Sequence, residues 1–330
     1  MTELSKSTTR DKMLVNRHPS NPILTSKMVP YQSLLVFNAA VIKHEGRYIM
    51  VFRNDFGSYD TKRIDGTNLG LAFSDDGLEW QVESDPCFQI SDSEILSVND
   101  PRLIVIDGDC YMTFAIIGRH GIRGGIAKTT DFKSFQIIHQ TLPDNRNLVL
   151  FPEKINGSFF RLDRPFASYL REEKNSFDIW ISESRDLISW GKHRLLLKAD
   201  EIPYCNEKIG PGPPPIKTEK GWLHIFHAVD VEPQRGKNGW EEQWYKRYTV
   251  GVMLLDLDDP TKILGVSGEP LMVPEADYEI KGGFRNNVIF PCGLILEDSG
   301  EVKIYYGAAD TVVCLASADI DDLIRFCIET

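Results

Sequence analysis

One carboxylate and several cations stand where apolar strands are interrupted by polar residues. Asp100 lies in "SVNDPRL", just ahead of an apolar run. The cations are Arg53 in "FRND", Arg102 behind Asp100, Arg146 in "DNRNLVLFPEK", Arg164 in "RLDRP", and Lys208 opening "KIGPGPPPIKT", with His227 in "WLHIFH". Asp before Pro is ordinary turn chemistry. Next to apolar walls, however, a carboxyl gains proton affinity, and this reading gives Asp100 a raised pKa and the role of general acid. Cations at strand boundaries, two of them beside Pro-rich rigid turns, suit a small oxyanion such as phosphate. The "GPGPPP" run is not a phosphate-binding P-loop, because it lacks the GK[ST] ending and the following helix. His224 and His227 are three apart on a strand and face opposite sides, so they do not share a metal, and no metal is expected.

Positioning these groups falls to a repeat. The copies read "LGLAFSDDGLEW", "GGIAKTTDFKSF", "FDIWISESRDLISW", "VGVMLLDLDDPTKIL" and "VVCLASADIDDLI", and the first three closers, Trp80, Phe135 and Trp190, fall about 55 residues apart. A second strand precedes each copy, as "GRYIMVFRND", "DCYMTFAIIG", "GSFFRLDRPF", "GWLHIFHAVD" and "EVKIYYGAAD", and a third precedes that. One such unit cannot bury both faces of its sheet, so the five copies pack radially into an all-β, five-bladed β-propeller. Helical spacing is confined to the end, where Ile320, Leu323, Ile324 and Cys327 predict a short C-terminal helix. Residues 1–20 read as a polar N-terminal arm and 21–330 as a single propeller domain. Equivalent strand ends share one rim around the axis, where distant residues converge.

Composition sets limits. The net charge of -11 excludes a nucleic-acid partner, which needs a basic field, so a basic pocket on this acidic chain points to a small anion. No apolar run reaches membrane-spanning length, and the first twenty residues lack the apolar segment of a signal peptide. A cytoplasmic protein without a membrane partner is expected. The six cysteines show no CxxC spacing, and they read as free thiols.

Glycoside hydrolysis ordinarily uses two carboxylates. Here one strong candidate is accompanied by cations, and phosphate as the nucleophile removes the need for a second. The pattern therefore favours phosphorolysis over hydrolysis. A water-using glycosidase needs a base at the rim, for which Glu153, Asp163 and Asp310 are available. A non-catalytic sugar-binding propeller is the third reading.

The ordered set "VFNAAVI", "FRND", "NDPRL", "NRNLVLFPEKING", "DRP", "KIGPGPPPIKTEKGWLHIFH", "YTVGVMLLDLDDP", "NVIFPCG" and "YYGAAD" resembles glycoside hydrolase family 130, the inverting β-mannoside phosphorylases and related β-mannosidases, from about Asn21 to the C-terminus. The resemblance implies a five-bladed propeller that uses inorganic phosphate as co-substrate, without metal or organic cofactor. Phosphate attacks the anomeric carbon of a small β-mannoside with inversion, giving α-D-mannose 1-phosphate and a shortened acceptor. It further implies that Asp100 is the acid, acting through a hydroxyl of the bound mannose. Arg146, Asn147, Arg164, Lys208, His227 and Tyr248 are then the phosphate set, and Asn38, Arg53 and Asp310 the mannosyl-binding set. Family members are often oligomeric, so a homo-oligomer is among the expected assemblies. The stretch 229–248, rich in Trp, Tyr and charge, reads as a rim loop that either builds an acceptor subsite through Trp240 or Trp244 or packs against another subunit.

Overall fold

The inner strands are unbroken apolar runs because both their faces are covered: in Leu35–His44 the first eight residues are all buried. A computed structural model describes residues 14–166, 177–236, 238–241 and 244–329. Its strands form five antiparallel sheets, four of them ordered from the axis outward along the chain. Blade I holds Leu35–His44, Arg47–Ser58, Arg63–Ser74 and Gln81–Val82, and blade II holds Ile95–Ile106, Asp109–Gly118, Gly121–Thr129 and Gln136–Gln140. Blade III holds Asn145–Leu150, Phe159–Pro165, Ile179–Ser184 and Trp190–Leu197. Blade IV is built on Lys208–Pro211, Gly221–Val231, Lys246–Leu255 and Ile263–Val266, with Ile216–Thr218 as an added inner piece. The five-bladed propeller expected from the repeat is the fold observed.

The last blade departs from the others in its outer edge. Ile289–Leu296, Glu301–Ala308 and Val312–Asp319 are its three inner strands, and the fourth is Asn16–Arg17, with Asn16 opposite Ser317 and Arg17 opposite Ala316. The ring is closed by the chain's beginning, inside the stretch expected to be an arm. Residues 1–13 of that arm lie outside the described residues. The fifth copy of the repeat ends instead in the helix Ile320–Ile328, whose N-cap Asp319 accepts from the backbone N–H groups of Asp321 at 3.0 Å and Asp322 at 3.2 Å. Its apolar stripe, Leu323, Ile324 and Cys327, is buried against Leu254 of blade IV and Ala318 of blade V.

Close packing within a blade recurs as an aromatic ring laid over a glycine. Phe52 is opposite Gly70, Phe114 opposite Gly125 and Phe226 opposite Gly251. A Cβ on Gly251 would sit 2.4 Å from Phe226 Cζ, so the glycine in "VGVML" is there for the ring. All six cysteines are free thiols, four of them buried. No helix among the described residues is long and apolar enough to cross a membrane.

Candidate active site

Three inner strands turn the same corner at the same depth. Asn38, Asp100 and Asn147 have φ of 50°, 53° and 57°, and each lies where its strand slips register against its neighbour. Asn and Asp tolerate this left-handed conformation better than most side chains, and the bulge it creates re-aims them. Asn38 and Asp100 meet as a result: Asn38 Nδ2 donates to Asp100 Oδ1 at 2.9 Å. Two glycines leave the space. A Cβ on Gly307 would fall 2.3 Å from Asn38 Oδ1, and one on Gly210 would fall 2.5 Å from His227 Cε1 and 2.9 Å from Asn147 Nδ2.

Asp100 is 4% exposed, and its second oxygen accepts a charge-assisted bond from Arg146. The raised pKa expected for this carboxyl is not what the site produces. Burial does push it up, but the nearby guanidinium groups of Arg146, Arg53 and Arg102 outweigh burial and hold it well below the usual carboxylate range. Asp100 is thus held as an ionised carboxylate. Three buried or half-buried cations stand beside it.

On the other side of Arg146 the charge is positive and poorly compensated. Arg146 and Arg164 are paired neighbours on adjacent strands of blade III. Arg164 is 6% exposed, its Nη1 donates to His227 Nε2 at 3.1 Å, and its Nε has no partner. Among the described residues no carboxylate pairs with it. Burial and the charge of Arg146 bring its pKa down to about 10. Burial and Arg164 likewise bring Lys208 down to about 7, against a weaker opposing pull from Glu207, 3.6 Å away. His227 is fully buried, and burial with Arg164 and Lys208 keeps it neutral far below its usual range. Its ring stacks on Tyr248 at 5.9 Å, whose hydroxyl burial keeps protonated. Lys208 Nζ lies 5.5 Å from the same Tyr248 ring. Arg146, Asn147, Arg164, Lys208, His227 and Tyr248 are therefore neighbours, from blades III and IV.

Arg53 is clamped by Asp55, with Nε to Oδ1 at 2.8 Å and Nη2 to Oδ2 at 2.7 Å, and its guanidinium lies 4.5 Å from the Phe37 ring. Asp310, with φ of 49°, is 8% exposed. Burial raises its pKa, opposed by Arg285 and Arg53. Arg285 was not among the residues singled out from sequence, yet its Nη1 reaches Asp310 Oδ2 at 3.2 Å. Arg102 spans from blade II to the "GPGPPP" turn of blade IV, its Nε donating to the Gly212 carbonyl at 2.6 Å. Its position two residues after Asp100 marks it only weakly; nothing local in the sequence points to Gly212.

The other expected carboxylates are engaged elsewhere. Glu153 pairs with Lys217 at 2.6 Å on an exposed edge. Asp163 is held by Arg161 and Asn145, both at 3.0 Å. His224 is fully buried and faces away from the His227 cluster, where burial and Arg102 drop its pKa to about 3. Trp244 is buried, stacks on Tyr248 at 5.9 Å and donates its indole N–H to the Asn286 carbonyl, so it is a packing residue. No group of three or more His, Cys, Asp or Glu among the described residues could hold a metal ion.

Comparison with known proteins gives the family. The sequence model of the glycoside hydrolase family 130, described as β-1,4-mannooligosaccharide phosphorylase, matches residues 8–329. The β-1,4-mannooligosaccharide phosphorylase of Ruminococcus albus is 34% identical over 330 residues, covering 96% of this chain and 91% of the relative. The 1,2-β-oligomannan phosphorylase of a Thermoanaerobacter species is 31% identical over 94% of this chain and 98% of the relative. Among solved structures, the β-1,2-mannobiose phosphorylase of Listeria innocua, in complex with β-1,2-mannobiose, has a TM-score of 0.82 at 26% identity, covering 96% of this chain and 100% of that one.

Proposed function

The chain belongs to glycoside hydrolase family 130, and on that premise we propose that its rim pocket is the site where a small β-mannoside is cleaved by inorganic phosphate. A phosphate oxygen bonds to the anomeric carbon from the face opposite the leaving sugar. The C1–O bond to the acceptor breaks, the acceptor oxygen takes a proton, and α-D-mannose 1-phosphate leaves with inverted configuration. Phosphate is a co-substrate, and the chain needs no organic cofactor for these steps.

The observation that carries this reading is the buried guanidinium of Arg164, which pairs with no carboxylate among the described residues, beside Arg146 and Lys208. Such a group is costly to bury unless an anion pairs with it, and a tetrahedral dianion satisfies all three cations at once. Asn147, His227 and Tyr248 supply the remaining polar edge. Asn38, Arg53 and Asp310 are assigned to the mannosyl ring, and Asp100 to proton transfer. Asp100 is ionised before phosphate arrives because of Arg146, which it shares with the phosphate set, together with Arg53 and Arg102. Phosphate neutralises part of that field, so the proton affinity of Asp100 rises only when the nucleophile is in place. A base carboxylate for water is not needed, and Glu153 and Asp163 are already committed.

We place the reaction in the cytoplasm, where six free thiols stay reduced. A homo-oligomer is part of the same proposal. The exposed side chains of Leu142 and Leu96, 85% and 55% accessible, support it, and light scattering of the purified chain tests it.

The test of function is the reverse reaction. The protein is incubated with α-D-mannose 1-phosphate and glucose, mannose, cellobiose, mannobiose or N-acetylglucosamine, and phosphate release is followed. Release with one acceptor is the expected result and names that acceptor. No release with any, together with cleavage of mannobioses in phosphate-free buffer, overturns it.

A further inference from the structure

The blade IV loop crosses the rim and is fastened on its far side. Trp240 N–H donates to the Phe284 carbonyl at 2.8 Å, and Gly239, with φ of 94°, fits there because a Cβ would lie 2.3 Å from that same oxygen. The Trp240 ring meets Phe284 edge-on at 5.5 Å and, on its other side, Tyr59 of the blade I turn at 5.5 Å. Tyr59 is 64% exposed, so this pair forms a wet aromatic wall over the pocket. Behind the wall, Arg285 forks between two carboxylates. Its Nε donates to Glu241 Oε1 at 2.9 Å, its Nη2 reaches the same oxygen, and its Nη1 donates to Asp310 Oδ2 at 3.2 Å. The guanidinium is packed 4.7 Å from the Trp244 ring and 4.8 Å from the Phe284 ring.

Two carboxylates sharing one guanidinium are oriented together. Only Arg has the planar fork to do this; Lys offers a point charge. Asp310 is the mannosyl-side carboxylate, and Glu241 adjoins Trp240 in the crossing loop, so one cation spans both halves of the pocket. We propose that Arg285 is a positioning residue that locks the Glu241 end of the loop to Asp310, setting the Trp240–Tyr59 wall as the surface on which the acceptor pyranose stacks. The inference rests on the phosphorolysis reading above. It makes acceptor binding depend on a residue, Glu241, that touches neither phosphate nor mannose.

The experiment compares wild type, Glu241→Gln, Arg285→Lys and Arg285→Met in the synthetic direction, measuring KM for acceptor and for mannose 1-phosphate, and measures KM for phosphate in the forward direction. Glu241→Gln is expected to raise the acceptor KM about tenfold with the phosphate KM unchanged. Arg285→Met is expected to raise the KM values for acceptor and mannose 1-phosphate together, and Arg285→Lys to recover part of the loss. An unchanged acceptor KM in Glu241→Gln, or an equal fall of kcat with all three substrates, overturns the proposal. If Arg285→Met does not fold, Glu241→Gln and Arg285→Lys decide it. If wild type releases no phosphate with any acceptor, the functional reading falls instead, and calorimetric titration with mannobiose then compares wild type with Glu241→Gln: weaker binding in the variant supports the lock, and equal binding overturns it.

Discussion

At the scale of single residues, charge sets the order of events. Asp100 is bonded by Asn38 and Arg146 and carries no proton at rest, so Asp100→Asn removes the proton relay while relieving Arg146 of the carboxylate it pairs with. Turnover is expected to fall by about 10²- to 10⁴-fold, while calorimetry finds phosphate bound at least as tightly as in wild type. Phosphate binding lost along with turnover would make Asp100 a structural partner of Arg146 and nothing more. Lys208 adds a pH dependence. Its pKa is down to about 7 from burial and Arg164, so it is cationic below that pH and neutral above. An anion prefers the cationic form, and phosphate affinity is expected to weaken as pH rises through 7. Lys208→Arg keeps its charge throughout this range. The ratio of wild-type to variant phosphate Kd should therefore climb between pH 6 and 8, a ratio in which the ionisation of phosphate itself cancels. A flat ratio would remove Lys208 from the phosphate set.

Among the elements, the strand repeat was legible because its signals are local. Turn residues and apolar runs recur in every copy, and each reports on contacts within a hairpin. Gly70, Gly125 and Gly251 belong to that pattern, and their purpose follows once the opposite strand is known: each lies beneath a phenylalanine. Gly251→Ala is expected to cost about 1–3 kcal/mol, since the new methyl meets both the Phe226 ring tip and the Tyr204 hydroxyl within 2.4 Å in a filled core. Urea denaturation reads this directly, and an unchanged midpoint would mean that the ring simply moves aside. The site was legible only in part, for a related reason. Asn38, Asp100 and Asn147 could be placed at strand starts, but the left-handed corners that turn them toward one another are not written in residue type alone. Arg285 and Glu241 are 44 positions apart, in loops with no counterpart in other repeats, so no spacing rule connects them. The proton state of Asp100 was misjudged because its apolar walls are visible in sequence and the convergence of Arg53, Arg102 and Arg146 is not.

For the whole molecule, the decisive contact is the one that makes a row of blades into a ring. Asn16–Arg17 supplies the outer strand of the last blade, and Arg17 anchors it through a two-pronged bond to Glu279, Nε to Oε1 at 2.8 Å and Nη2 to Oε2 at 3.0 Å. Glu279 is fully buried, and it also accepts from the Tyr306 hydroxyl at 2.9 Å, so the strap is tied into the blade V core. Removing the cation leaves a buried carboxylate without its counter-charge, which ordinarily costs about 3–5 kcal/mol. The Tyr306 hydroxyl and the backbone N–H groups of Glu275 and Ala276 remain as donors, so Arg17→Met is expected near the lower end, about 3 kcal/mol. Arg17 makes no contact with Asp100 or its cations, so kcat and the phosphate KM should be preserved well below the new unfolding midpoint. Saturating phosphate should then restore part of the loss, because it binds only the closed ring: at a hundred times its Kd the gain is about 2.7 kcal/mol. A variant as stable as wild type would mean that the last blade holds without its strap. A variant that loses activity while its β-sheet signal persists would mean that the strap shapes the pocket as well as closing the ring, and blade V, which carries Asp310, is where that distortion would be sought.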